Sequence, residues 1–269
     1  DVALFSNQDT LHVSPEDSDD EGQALAAELL NDLAQYHLEH EIPWFRVAMG
    51  AHKEAEIVGH VCSKQSWHYI EDEVDKPDIT IYPPECVRFH PNADWQDPIN
   101  SSPYLILMHS MLVADLKERM DEGTWNELSD SEIQSAITQD DVQTTESARA
   151  RTQTNDDQAS LLDHQTVWVH ENFVRYGGYD FVYITLADSH MLSDPELREE
   201  VYPHTEVTGK RPVVFGTTAI DPHKQYPAGT PEIVEGPQEL ANEIANQRLD
   251  NVKLVLQKRY LVRTGVDID

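Results

Sequence analysis

The sequence TVWVHENFVRYGGYDFVYITL spans residues 166–186 and carries the strongest β-strand signal of the chain. Both arms are rich in β-branched and aromatic residues, which favour a pleated, half-buried strand. Gly177 and Gly178 form a two-residue connection, and glycine supplies the positive φ angles that a tight hairpin turn requires. The pattern predicts an antiparallel hairpin with strands over 166–176 and 179–186.

Shorter β-type runs flank this hairpin on both sides and are separated by proline-containing turns. We predict strands over residues 61–70, 79–82, 87–90, 104–108 and 212–215, with short helices over 113–120 and 130–137. Residues 139–160 contain no aromatic residue and almost no aliphatic one. This composition is typical of a polar linker or a mobile loop, and it marks the boundary between two regions of the chain.

Two helices are predicted near the start of the chain. Leu25, Leu29 and Leu33 recur at helical spacing, which indicates an amphipathic helix over about 21–40. Pro43 then occupies the position of a first-turn proline, so a second helix follows at once. The pair is predicted to be a helical hairpin or one long kinked helix. The chain as a whole is therefore expected to be α+β, with mostly antiparallel short strands.

A long helix is predicted near the other end, from about Pro237 to Gln257. Asn, Gln, Arg and Asp side chains fill the middle of the segment, and its sparse apolar stripe consists of Leu240, Ile244, Val252, Val255 and Leu256. A helix this polar is not an ordinary core helix, because it has no continuous apolar face to bury. We expect it to contact other polar helices or to line a water-filled space.

The charge of the chain is strongly negative. Its 269 residues include 50 acidic and 19 basic ones, which gives a formal net charge of −31. Such a surface disfavours proteins that grip nucleic acid in a basic groove. Adaptation to salt explains the charge equally well at this stage, and a functional acidic face is compatible with it. Apolar runs are too short for a membrane span, which needs about 18 residues, and no secretory signal is expected.

Motifs for enzymatic chemistry are absent from the sequence. It contains no Gly-x-Ser-x-Gly elbow, no Gly-x-x-x-x-Gly-Lys phosphate loop and no His-Glu-x-x-His metal motif. Two cysteines, Cys62 and Cys86, are too few for a cysteine-only zinc site and are interpreted as reduced structural residues. We therefore assign no catalytic residue, no metal ligand and no cofactor. The alternative enzyme hypothesis is a metal-dependent hydrolase or nuclease that uses Asp, Glu and His.

One family resemblance runs over most of the chain. Its main segment is PEIVEGPQELANEIANQRLDNVKLVLQKRYLV at residues 231–262, and the segments IPWFR (42–46), VCSKQSW (61–67), RFHPNADWQDPINSSPY (88–104), KRPVV (210–214) and HKQYP (223–227) support it. Taken in this order, they resemble the portal proteins of tailed bacteriophages, notably the short-tailed ones. The resemblance covers roughly residues 24–120 and 165–269.

The resemblance implies a structural protein rather than an enzyme. Portal proteins form a ring of about twelve copies at one capsid vertex. The ring is the channel for genome packaging and ejection, and it docks the terminase packaging motor and later the tail. The partners implied are other copies of the chain, the major capsid protein, head–tail adaptor or tail proteins, and double-stranded DNA that passes without sequence recognition. The implied location is the virion, with assembly in the host cytoplasm and no membrane. A head–tail adaptor ring protein remains an alternative.

The resemblance also implies a division of the chain. Residues 1–138 would be a wing-like helical and β region, 139–160 the linker, 161–230 the β-hairpin wing region, 231–258 a stem helix, and 259–269 the start of the clip. Portal chains are longer, so we expect an incomplete portal chain or a smaller relative.

Two sets of candidate site residues follow from this division. The stem and subunit-interface residues are Asn242, Ile244, Asn246, Gln247, Arg248, Asp250, Asn251 and Lys253. Amide side chains suit this role because they hydrogen-bond laterally to copies of themselves. A basic patch on the clip side comprises Lys258, Arg259 and Arg263, which would contact DNA, an adaptor or the motor. Alternatively, Lys253 and Lys258 merely complement the C-terminal end of the helix.

Overall fold

The computed structural model describes residues 12–17, 19–70, 74–139, 165–187 and 190–257. The fold is α+β, as predicted, with two antiparallel sheets and with helices before, between and after the strands of the described chain. The helices are α1 (Glu21–Tyr36), α2 (Trp44–Val58), α3 (Pro98–Ser101), α4 (Val113–Asp121), α5 (Asp130–Gln139), α6 (Arg198–Val201) and α7 (Thr230–Leu256). The strands are β1 (His60–Ile70), β2 (Val74–Tyr82), β3 (Val87–Phe89), β4 (Tyr104–Leu112), β5 (Thr166–Tyr176), β6 (Tyr179–Leu186), β7 (His190–Met191), β8 (Glu196–Leu197) and β9 (Val213–Thr217).

The predicted hairpin is confirmed and forms the centre of a six-stranded antiparallel sheet. Strands β5 and β6 pair directly around the turn, with Tyr176 opposite Tyr179. Gly177 and Gly178 have φ angles of 61° and 90°, as the tight turn requires. The sheet order is β3-β4-β5-β6-β7, and β8 pairs with β6. The sheet is thus built outward from the hairpin.

A second sheet has the order β2-β1-β9. Its edge strand β9 pairs with the first residues of β1, so that Val213 lies opposite Lys64. Cys62 and Val213 of this sheet pack with Leu105 and Phe173 of the six-stranded sheet in one buried cluster. The two sheets therefore share a hydrophobic core.

A separate core lies under the short helices α4 and α5. Leu116 of α4 and Ile133 of α5 are fully buried against Val169 and Leu186 of the six-stranded sheet. Both helices lie at the predicted positions. The prediction succeeded because their apolar residues recur at helical spacing, and those are the residues that the structure buries.

The N-terminal helices differ in detail from the prediction. Helix α1 ends at Tyr36 and continues as one π-helical turn over His37–Glu41. Ile42 is then extended and Pro43 occupies the N-cap of α2, one position before the predicted first turn. Of the α1 residues, Ala27 is buried, whereas the leucine stripe is more than half exposed. The apolar stripe of α1 therefore does not join the core of its own chain.

Several predicted strands and helices were shorter than the observed ones. Strand β2 begins at Val74 rather than at Ile79, and β4 continues to Leu112, because each pairs along its full length with a neighbouring strand. Helix α7 begins at Thr230 rather than near Pro237, so that Pro237 lies inside the helix. Most of the predicted 139–160 linker lies outside the described residues, as do residues 258–269.

Candidate functional site: the exposed C-terminal helix

Helix α7 is anchored to the rest of the chain at its first turn. The buried residues Pro227 and Gly229 lie against the end of α2, where the chain turns at Gly59 with a φ angle of 96°. A Cβ atom on Gly59 would lie 2.1 Å from the carbonyl oxygen of Pro227, and one on Gly229 would lie 2.2 Å from that of Ile57. The two backbone segments therefore meet more closely than any side chain allows.

Aromatic packing fixes the segment that leads into this anchor. The ring of Tyr226 stacks on Phe89 with a centroid distance of 5.2 Å and lies 5.0 Å from the ring of His60. Burial lowers the pKa of His60, which keeps its imidazole neutral in this cluster. Nearby, Gln225 Nε2 donates a hydrogen bond of 2.6 Å to the carbonyl of Ala93. The base of α7 is thus held by the sheet as well as by α2.

The helix itself is unsupported by its own chain. Every residue from 230 to 257 is exposed, and 27 helical residues extend about 40 Å. Nine large apolar side chains lie on this exposed helix: Ile233, Val234, Leu240, Ile244, Leu249, Val252, Leu254, Val255 and Leu256. Soluble monomers rarely expose a contiguous apolar surface of this extent, which is typical of an interaction site.

The apolar residues lie mainly on two sides of the helix, whose centres are about 120° apart around the helix axis. At about 100° per residue, Leu240 and Ile244 share one side with Ile233 and Val255. We call this set the first apolar face. Leu249, Val252 and Leu256 are spaced three and four residues apart on the other side and form the second apolar face. A helix with two such faces suits contact with two different neighbours.

The sides between the two apolar faces differ in character. Glu232, Glu239, Glu243 and Asp250 follow one another at spacings of seven, four and seven, and they form an acidic line on one of these sides. On the other side the two faces are separated only by a narrow strip that carries Ala241 and Arg248, while Ala245 falls within the second apolar face.

The eight predicted interface residues all lie on α7 and all are exposed. They are distributed around the helix rather than brought to one side. Asn242 accepts a hydrogen bond of 3.2 Å from Gln238, Gln247 donates one of 3.3 Å to Glu243, and Lys253 forms an ion pair with Asp250 at 3.4 Å. The basic residues Lys258, Arg259 and Arg263 lie outside the described residues.

Sequence reasoning missed part of the apolar surface. The predicted stripe included Leu240, Ile244 and Val252 but left out Leu249, although its spacing to Val252 and Leu256 contains the signal. A search for two faces rather than one stripe would have found it.

A comparison with known protein families covers this helix. Residues 69–269 match the family model described as phage SU10 portal protein. The chain belongs to this portal protein family. The match includes the hairpin, strand β9 and all of helix α7, and it begins after α1 and α2. No curated protein matches the sequence.

Portal proteins are structural components of the phage virion. Among the described residues, no three His, Cys, Asp or Glu side chains come together as a metal-binding group. In the same ranges, no helix combines the length and the apolar character that crossing a bilayer requires.

Proposed function

We propose that this portal protein assembles into a closed ring of about twelve copies at one capsid vertex and that α7 forms the wall of its stem. The observation that carries the proposal is the complete exposure of α7 together with its two apolar faces. In a ring, each subunit contacts one neighbour on each side through two different surfaces. The first apolar face of one copy would therefore pack against the second apolar face of the next.

The polar residues of α7 would complete this contact. Asn242, Asn246, Gln247 and Asn251 carry amides that both donate and accept hydrogen bonds, so they can pair across neighbouring helices. Arg248, Asp250 and Lys253 supply charges of both signs, which complement each other between copies.

The proposed ring would conduct DNA during packaging and ejection and would dock the motor, the capsid and the tail. The charge of the chain supports this role, since an acidic channel repels phosphates and lets DNA slide instead of binding it. Assembly would take place in the host cytoplasm. Lys258, Arg259 and Arg263 would contact DNA, an adaptor or the motor at the narrow end.

Cross-linking tests the two-faced contact directly. The double variant Ile244→Cys/Leu249→Cys places one thiol on each apolar face, while Cys62 and Cys86 are only 1% exposed and stay unreactive. A short bis-maleimide should convert the double variant into a ladder that ends near twelve copies. Each single variant should give no ladder, because the contact joins unlike faces.

The matched control is Glu239→Cys/Glu243→Cys, which places both thiols on the acidic line. We expect this pair to yield far less cross-linked product than the double variant on the apolar faces. Equal ladders from both pairs, or monomers with no rings in negative-stain electron microscopy, would contradict the proposed stem.

The basic patch has its own test. Reversal of Lys258, Arg259 and Arg263 to Glu should reduce the yield of DNA-filled, tailed particles. Normal particles from the triple variant would remove the patch from the proposal and leave the stem untouched.

A further inference from the structure

A small cavity lies at the tip of the β5–β6 hairpin, where β8 and the start of α6 approach it. Its volume is about 340 Å³, and Arg175, Asp180, Arg198 and Glu199 line it. These residues come from two separate parts of the chain, and no expectation from the sequence included them. In a chain with a net charge of −31, the concentration of arginine here is unusual.

Asp180 is the buried carboxylate of this cavity and already has two arginine partners. Arg175 donates from Nε to Oδ1 at 3.2 Å and from Nη2 to Oδ2 at 3.3 Å, and Arg211 donates from Nη2 to Oδ1 at 3.0 Å. Burial alone would raise the pKa of Asp180, but the hydrogen bonds from Arg211 and Arg175 outweigh it and hold the pKa below its usual value. Asp180 is therefore ionised and neutralises one of two cations.

Arg198 is left with incomplete partners. Its side chain is 6% exposed, and its Nη2 lies 3.2 Å from Oε1 of Glu199, a carboxylate that is itself 54% exposed. Within the described residues, Nε and Nη1 of Arg198 are buried and have no hydrogen-bond partner. A buried guanidinium in this state is costly, because each unpaired donor loses its hydration without compensation. The cavity is therefore lined by a buried guanidinium that keeps two donors unsatisfied by any described residue.

We propose that this cavity receives a carboxylate side chain from a neighbouring copy of the chain. The inference rests on the proposed ring, which requires two unlike surfaces to meet at each contact. Charge complementarity supports this occupant, since 50 acidic residues make carboxylates abundant on every copy. A guanidinium binds a carboxylate with two parallel hydrogen bonds, so one such side chain would satisfy one of the two unpartnered donors of Arg198 together with Nη2.

Exposed tyrosines at the rim support a protein partner. Tyr176 and Tyr179 flank the hairpin turn and are 79% and 64% exposed. Tyrosine is enriched at protein interfaces, where the ring contacts apolar surface while the hydroxyl remains hydrated. The rim thus offers contact area around the charged centre.

The test uses the full chain, with inorganic phosphate as a soluble oxyanion that competes for the cavity. In wild type, the Tm should rise with the logarithm of phosphate concentration at constant ionic strength. Arg198→Gln should abolish this rise and weaken association between copies about tenfold in sedimentation velocity. Lys224→Gln is the charge-matched control, because Lys224 is an exposed cation elsewhere, and it should behave as wild type.

A second variant keeps the test decisive if Arg198→Gln fails to fold. Glu199→Gln removes the exposed carboxylate that pairs with Arg198 Nη2. Phosphate should therefore raise the Tm of this variant at several-fold lower concentration than it does in wild type. An unchanged phosphate response in Glu199→Gln, or wild-type association in folded Arg198→Gln, overturns the proposal while the ring stands. A phosphate response without any effect on association overturns the neighbouring carboxylate as occupant. Absence of rings in wild type overturns the proposed function itself.

Discussion

Lys64 on the three-stranded sheet and Glu171 on the six-stranded sheet form a buried ion pair, with Nζ 2.5 Å from Oε2. Their side chains are 14% and 6% exposed, and Tyr202 donates its hydroxyl hydrogen to the other carboxylate oxygen of Glu171. Lys64 Nζ also lies 5.0 Å from the centre of the Tyr202 ring. The pair joins the two sheets whose shared core supports helix α7.

We expect Lys64→Met to destabilise the chain strongly. The change leaves the carboxylate of Glu171 buried without its cation, which typically costs about 3–5 kcal/mol in the free energy of unfolding. Urea denaturation measures this loss in the free energy of unfolding. The double variant Lys64→Met/Glu171→Gln should recover part of the loss. Lys224→Met, which breaks the exposed pair with Asp221, is the control and should have little effect. Equal effects of Lys64→Met and Lys224→Met would show that the pair contributes nothing.

The glycine at the base of α7 gives a second prediction. Gly59→Ala should destabilise the chain more than Gly123→Ala does. Both glycines have positive φ, which costs an L-residue about 1–2 kcal/mol, but only the Cβ atom at position 59 meets backbone, at 2.1 Å. No atom lies within 4 Å of a Cβ at Gly123. Urea denaturation of the two variants compares them, and equal losses would show that the α2–α7 junction adjusts freely.

Alkaline pH should weaken the fold. Burial raises the pKa of the Cys62 thiol to about 12, with a smaller contribution from Glu54, and burial also raises the pKa of Tyr82 and Tyr202. The folded state thus holds protons that the unfolded chain releases from about pH 9, so stability is complete below that pH and falls above it.

Urea midpoints at pH 7, 8.5 and 10 measure this dependence. Cys62→Ala should reduce the decrease between pH 8.5 and 10, because one of the shifted groups is then absent. A thiol reagent at pH 8 should leave Cys62 unmodified until the chain unfolds. Rapid modification of native Cys62, or a midpoint that does not change with pH, would contradict its assigned burial.

Charged substitutions on the apolar faces of α7 should prevent ring assembly and leave the folding of the monomer almost unchanged. Ile244→Asp and Leu249→Asp change exposed positions, so the free energy of unfolding of the monomer should move by about 0.5 kcal/mol or less. Ring formation, followed by light scattering after size-exclusion chromatography, should be lost. Val207→Asp is the control, because Val207 is 95% exposed on another surface and should permit rings. Intact rings in both helix variants would contradict the role of these faces.

The hairpin could be predicted from the sequence because its information is local. Two glycines define a two-residue turn, and that turn alone places Tyr176 opposite Tyr179 and Arg175 opposite Asp180. Strand β9 was predicted as a strand, but its pairing with β1 was not. No local pattern connects Val213 with Lys64, since their pairing depends on the core that both sheets build.

The candidate site was predicted in part, because the composition of helix α7 is also local information. The polar composition of α7 is visible in the sequence, and so is its unsuitability for a core. The predicted start near Pro237 was too late, because Pro231 lies in the first turn of the helix and Pro237 is tolerated inside it. The cavity at Arg198 combines segments that only the folded chain brings together.

The junction between α2 and α7 makes the long helix a lever arm. Its buried attachment lies at Pro227 and Gly229, and every described residue beyond it is exposed. For a rod of about 40 Å, a rotation of about 5° at the base displaces the far end by about 3.5 Å. Small shifts of α2 against the sheets are therefore magnified at the tip of α7, so in the proposed ring a partner that binds near α2 would widen or narrow the space that the tips of these helices surround.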